Sequence, residues 1–158
     1  MLHVNEDDLD WDENEQDGHE FRRKQLAEAV DGEQLGCSLY ELPPGNRSWP
    51  YHYHTANEEA LFVLDGTGIV RLDGEEQPLD AGDFVVFPAE ERGGHQVVND
   101  SDGALRYLVV STMEEPDITV YPEMEKLGVY VGSPPGGREG RTFEGYFPLN
   151  AGVEYWEQ

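Results

Sequence analysis

The sequence predicts an all-β domain, either a sandwich or a barrel. Three observations carry that reading. Strand-like segments recur at short intervals between residues 35 and 111, with turn pairs between them at Asp65-Gly66, Asp73-Gly74, Ala81-Gly82 and Asp102-Gly103. No helical pattern interrupts the series. The chain is 158 residues long, one domain's worth, and can bury a core without covalent staples.

The elements follow in order. Residues 1–20 carry nine acidic residues and no Lys or Arg, which predicts a solvated tail with Trp11 as its anchor. Asp8, Asp10 and Asp12 imitate the alternation of a calcium loop. Glu13 stands where that loop needs its sharp-turn Gly, and His19 where it needs a closing Glu. Residues 21–30 have helix-compatible composition, but Asp31-Gly32 and the alternating segment 35–42 favour a strand in a hairpin. Pro43-Pro44-Gly45 is a turn. Strands are then expected at 49–54, 59–64, 68–72, 83–87, 95–99 and 104–111. Prolines break up residues 113–158, where short strands are expected at 129–131, 142–147 and 153–156. The aromatics of this extension predict packing against the barrel or a second subunit. The expected division is thus a tail over 1–20, a barrel over 21–112 and an extension over 113–158. No repeat of solenoid length is visible.

Composition narrows the function. Asp and Glu number 34 against 10 Lys and Arg, a formal charge of −24, so nucleic acid and anionic membrane are poor partners. Aromatics at 11% argue against disorder and for a folded protein with an acidic coat. Lys24 and Lys126 are the only lysines, as suits a halophilic protein in a salt-saturated cytosol, where molar salt shortens the Debye length to about 3 Å. The mean hydropathy is −0.66 and no apolar run reaches membrane-spanning length. The absence of a basic region followed by an apolar core predicts no secretory leader, and the single Cys37 suits a reducing, cytoplasmic setting. Cys37 reads as a buried small residue rather than a nucleophile.

Three histidines lie in the β region. On a strand, positions i and i+2 share a face, so His52-Tyr53-His54 places two imidazoles side by side. Glu59 opens the next strand with Leu61 and Val63 at its parity, while Glu58 points outward. His95 opens a later strand. Three imidazoles and one carboxylate form a metal ligand set suited to Mn, Fe, Co, Ni, Cu or Zn and poorly suited to Ca or Mg. Four ligands leave a position for water or substrate, the catalytic pattern.

Here the residues resemble a known family. Gly45, His52, His54, Glu59 and Gly66 resemble the first motif of the cupins, and Gly82, Pro88, His95 and Asn99 the second. The resemblance covers about residues 35–112 and implies a double-stranded β-helix, a jelly-roll barrel holding a divalent transition metal on His52, His54, Glu59 and His95. Gly45 to His52 is one residue longer than the usual spacing, and Pro88 to His95 two longer, with Gly93 displaced. That longer loop is expected to reshape the pocket mouth. Gly66, Gly82 and Pro88 read as turn residues and Asn99 as a turn cap. The segment from Tyr51 to Leu61, with Glu154-Tyr155-Trp156, is similar to uncharacterised single-domain cupins.

The resemblance leaves three functional classes. One is a metalloenzyme acting on a small carbonyl, carboxylate or sugar-type substrate, as dioxygenase, decarboxylase or isomerase. The second is a module that binds or senses a small molecule, and the third a structural or storage protein, for which a full ligand set would be superfluous. No DNA-binding segment accompanies the motifs, which speaks against a classical regulator. No general acid or base is identifiable. Tyr40, Arg47 and Arg92 are candidates near the mouth, and a homodimer joined through sheet edges is expected.

Overall fold

The structure, a computed structural model, describes residues 2–137 and 139–157. Its strands are β1 (Asp12–Gln16), β2 (His19–Gln25), β3 (Leu35–Leu42), β4 (Tyr53–His54), β5 (Glu59–Asp65), β6 (Thr67–Leu72), β7 (Glu75–Asp80), β8 (Phe84–Phe87), β9 (His95–Val98), β10 (Leu105–Thr112), β11 (Asp117–Tyr121), β12 (Lys126–Val131) and β13 (Phe143–Pro148). They form three sheets, ordered β1-β2-β3-β10-β5-β8, β7-β6-β9 and β13-β12-β11-β4. From β3 to β6 and from β7 to β11 every step of the chain crosses to another sheet, while β1-β2-β3, β6-β7 and β11-β12-β13 each stay within one, which gives the expected all-β jelly-roll barrel.

Alternation places the core. In β5, Leu61 and Val63 are fully buried while Phe62 and Leu64 face outward, the period-2 pattern of a half-buried strand. With Phe21, Leu42, Leu105 and Tyr107 they pack against Val70, Leu79 and Val97 of the β7-β6-β9 sheet. Asn99 is buried and caps the turn after β9. Its amide donates to the Leu42 and Gly103 carbonyls, and its Oδ1 accepts from Ser101.

The expected solvated tail over 1–20 is instead built into the fold. β1 pairs with β2 from Asp12↔Arg23 to Gln16↔His19, and β2 pairs with β3. β1 is an edge strand with little to bury, so its sequence carries no apolar alternation. What fixes the segment is charge. Lys24 is only 6% exposed. Its ammonium donates to the Glu6 carboxylate at 2.7 Å and to the Glu6 carbonyl at 2.6 Å, beside the Trp11 ring. Arg106 donates to the same carboxylate at 2.9 Å.

The hydrogen bonds from Lys24, and then from Arg106, hold the Glu6 carboxyl below the usual carboxylate range. Stability from this clasp is therefore complete above the unfolded value, near 4.5. It is lost as the pH falls through the lower folded value. Glu6→Gln is expected to cost about 2 kcal/mol and to flatten the pH dependence of melting in that acid range. A variant that melts with the wild-type acid dependence would refute the clasp.

Other differences from expectation have local causes. The strand expected over 49–54 is reduced to β4, because Pro50 offers no N–H to a ladder; His52 forms only an isolated bridge with His95. β7 escapes the sequence pattern because Leu79 is its single buried residue. β11 escapes it because its inward positions hold Asp117 and Thr119. Residues 129–131 and 142–147 fall in or beside β12 and β13, whereas 153–156 form no strand. Cys37 is half-buried rather than buried.

Candidate metal centre

The four residues singled out by spacing arrive from three places. His54 ends β4, with His52 just before it in the chain. Glu59 begins β5, and His95 begins β9. Antiparallel backbone bonds join His52 and His95, with His52 N–H donating at 3.2 Å and His95 N–H at 2.9 Å. Asn57, itself buried, sets the short connection from β4 to β5. Its Oδ1 accepts from the Glu114 N–H and the Thr112 hydroxyl, and its amide donates to the Glu114 carbonyl.

The rings converge. His52, His54 and Glu59 each bring a ligand atom within 4.8 Å of the others. Glu59 Oε2 lies 3.5 Å from His54 Nε2 and 3.3 Å from His95 Nε2. The His52 ring centroid is 5.1 Å from that of His54 and 4.7 Å from that of His95. Phe87 stacks on His95 and supplies a dry wall.

The remaining ring nitrogens share one arrangement. Each Nδ1 is turned away from Glu59 and donates to an acceptor: His52 to the Pro50 carbonyl at 2.7 Å, His54 to Asp117 Oδ2 at 2.7 Å and His95 to the Gly93 carbonyl at 2.8 Å. Donation from Nδ1 leaves the Nε2 lone pair for a cation and fixes the ring plane. This pattern is the test of fit, and the donor set passes it: three oriented imidazole nitrogens and one carboxylate, without thiolate, suit a divalent transition metal.

The longer loop before His95 contributes directly. Residues Glu91–Gly93 make a 3-10 turn that folds back on Pro88. A Cβ on Gly93 would lie 1.7 Å from the Pro88 carbonyl oxygen, so only glycine fits there. The displaced glycine thus positions the carbonyl that holds His95.

Burial, followed by the charges of His95 and His54, pushes the His52 imidazole down to about 3. Burial also opposes charge on Glu59 and on His54. The imidazoles, His54 first, outweigh it and hold the Glu59 carboxyl low. Glu59 and the Asp117 hydrogen bond outweigh it at His54 and hold that imidazole high. Carboxylate and imidazole thus each favour the other's charged form, and a divalent cation would supply that countercharge to the carboxylate instead.

The ligand residues open into a cavity of about 1100 Å³. Tyr40 lines it, as expected, but Arg47 and Arg92 do not: both are exposed on the outer surface. Among the described residues, the lining guanidiniums belong to Arg23 and Arg141. Arg141 is committed to the Ser133 and Pro134 carbonyls and to Glu144. Arg23 lies over the Trp49 ring and, among the described residues, pairs with no carboxylate. Tyr121, Tyr130 and Tyr146 of the extension form another wall, with the Tyr121 ring 5.8 Å from His52 and the Tyr130 and Tyr146 hydroxyls 2.8 Å apart. Sequence reasoning missed this wall because β11 was not read as a strand and the aromatics of the extension were read as packing against the barrel or a second subunit.

Comparison with known proteins agrees with this architecture. Residues 38–111 match the cupin domain family Cupin_2. A sugar phosphate isomerase of the cupin superfamily from Silicibacter pomeroyi has a similar structure, with a TM-score of 0.78 and 25% identity over 94% of each chain. A protein from Acidithiobacillus ferrooxidans, provisionally named a sugar phosphate isomerase, superposes with a TM-score of 0.73 at 28% identity, covering 89% of this chain and 83% of that one. The polyketide synthase CurC of Streptomyces cyaneus is 30% identical over 77 residues, and the matched segment spans about half the length of each protein.

Proposed function

We propose that this chain is a metal-dependent enzyme of the cupin superfamily, acting on a small sugar-type hydroxycarbonyl substrate in an isomerase-class reaction. The observation that carries the reading is the set of three imidazoles, each tied at Nδ1, with His54 and His95 turning Nε2 to Glu59 and His52 bringing a ligand atom within 4.8 Å of His54 and Glu59, in a cavity large enough for a small metabolite. A divalent transition metal held by His52, His54, Glu59 and His95 would supply Lewis acidity toward a carbonyl or hydroxyl oxygen.

The chain's own groups do the rest. Burial pushes the Tyr121 phenol up to about 12, so it stays protonated and offers a donor to a substrate oxygen beside His52. Burial raises Tyr130 as well, and its hydroxyl and that of Tyr146 offer further partners to a polyol. Phe87, Leu61 and Val97 exclude water from one side. Among the described lining residues, Arg23 is the cation available to an anionic end such as a phosphate. Support for the sugar class comes from the two solved structures bearing that designation, which are similar over nearly the whole chain.

Metal analysis of the purified protein, followed by turnover assays on aldose and ketose phosphates and their unphosphorylated forms, tests the proposal. Metal-dependent interconversion supports it. Tight metal binding with no turnover assigns a binding module instead, and a protein that takes up no metal after reconstitution overturns the site.

The protein pairs with a second copy through the outer face of the six-stranded sheet. There Phe62 lies opposite Phe84, and Ala60 opposite both Val86 and Val110, with Phe84 64% exposed. In so acidic a molecule this uncharged patch on β5, β8 and β10 lets two copies meet without apposed carboxylates. Light scattering is expected to give a dimer at high salt and a monomer for Phe84→Asp; a monomeric wild type would refute the pairing.

A further inference from the structure

The three Nδ1 anchors are not equivalent. His52 and His95 donate to backbone carbonyls, whereas His54 donates to a side chain, the carboxylate of Asp117. Asp117 opens β11, which lies beyond the segment 38–111 that matches the cupin domain. It is 0% exposed. Oδ2 accepts from His54 Nδ1 at 2.7 Å and Oδ1 accepts from the Ala56 N–H at 3.0 Å, while the Thr119 hydroxyl lies beside the pair, 3.1 Å from His54 Nδ1 and 3.4 Å from Oδ2. The register Thr119↔His54 between β11 and β4 fixes this approach. A buried carboxylate whose oxygens all face donors, one of them a ligand imidazole, is placed for that imidazole.

We propose that Asp117 is the positioning residue of the metal centre: from the C-terminal extension it sets the tautomer and ring plane of His54, so the matched cupin segment alone does not make a competent site. The inference rests on the metal reading above. Chemically, the Asp117 carboxylate keeps the proton on Nδ1, keeps Nε2 unprotonated toward the cation and raises the donor strength of the ring. With Glu59 it brings two negative charges to the site, which match a divalent ion.

The informative variant is Asp117→Asn, which preserves shape. An Asn can offer its oxygen either to the Ala56 N–H or to His54 Nδ1, and the other contact then sets an NH2 group against a donor. His54 escapes that clash by moving its proton to Nε2, where it blocks the metal. Zinc affinity, measured by competition with a chromophoric chelator, is expected to fall 10- to 100-fold. Nitrogen-15 NMR of the metal-free variant is expected to show the His54 proton moved from Nδ1 to Nε2, a change that a merely structural role would not produce.

Wild-type zinc affinity in a folded Asp117→Asn protein would overturn the assignment while leaving the metal reading intact. A wild type that binds no zinc would overturn the metal reading itself. Should the variant fail to fold, NMR of the zinc-loaded wild type decides: a hydrogen-bonded His54 Nδ1–H supports the role, and its absence overturns it.

Discussion

Glu59→Ala is expected to remain folded and to lose metal at least 100-fold. Glu59 is the one charged ligand of the set, and its carboxylate is the point toward which the His54 and His95 Nε2 atoms turn. It contributes little to the apolar core, which Leu61 and Val63 fill at the next inward positions of the same strand. Removing it leaves three imidazoles, of which His52 is already held low by burial and then by its neighbours, and no carboxylate ligand to offset the charge of a divalent ion.

The consequence is measurable as linkage. Zinc at 100 to 1,000 times its dissociation constant stabilises a site that exists only in the folded state by about 2.7–4.1 kcal/mol. For a chain of this size that corresponds to a rise in melting temperature of roughly 5–16 °C. The wild type is expected to show such a rise and Glu59→Ala none. An equal rise in both would remove Glu59 from the site.

The second large effect concerns salt. With a formal charge of −24 on 158 residues, most carboxylates face only one another and water. Several basic residues are already bound in pairs, Arg22 to Glu41, Lys24 to Glu6, Arg71 to Glu123 and Arg141 to Glu144. Self-repulsion among the remaining carboxylates reaches across about 8 Å at physiological ionic strength and about 3 Å in molar salt. The protein is expected to lose β-sheet circular dichroism in dilute buffer and to regain it in molar KCl. The melting midpoint should rise by roughly 10 °C or more, about 3–5 kcal/mol of stability. A spectrum and midpoint unchanged between the two conditions would end the idea of a salt-adapted coat.

How far the fold was legible in the sequence depended on where water lies. β5, β6, β10 and β12 were legible because one face of each is wet and the other dry, so Leu61 and Val63 alternate with Phe62 and Leu64. β1 and β7 were not, since each is exposed along nearly its whole length and composition there reflects solvent rather than pairing. β11 failed for the opposite reason: Asp117 and Thr119 sit inside, satisfied by His54 and Ala56 across 60 and more residues of chain. No local period encodes such a partnership. The same limit applies at the metal centre. Spacing drew attention to His52, His54, Glu59 and His95, but the acceptors that aim the rings are two backbone carbonyls and an aspartate from outside the motif.

The two borders of the six-stranded sheet differ in kind. On one side the sheet ends in β1, whose sequence Asp-Glu-Asn-Glu-Gln is polar on both faces. A strand from another molecule arriving there would have to lay its backbone along a row of like charges. On the other side it ends in β8, Phe-Val-Val-Phe, which is apolar and partly uncovered. A sheet with one adhesive margin and one repellent margin cannot grow head to tail by adding strands edge on edge. The acidic hairpin at that border thereby guards it against strand addition and leaves β8 as the border open to a partner strand.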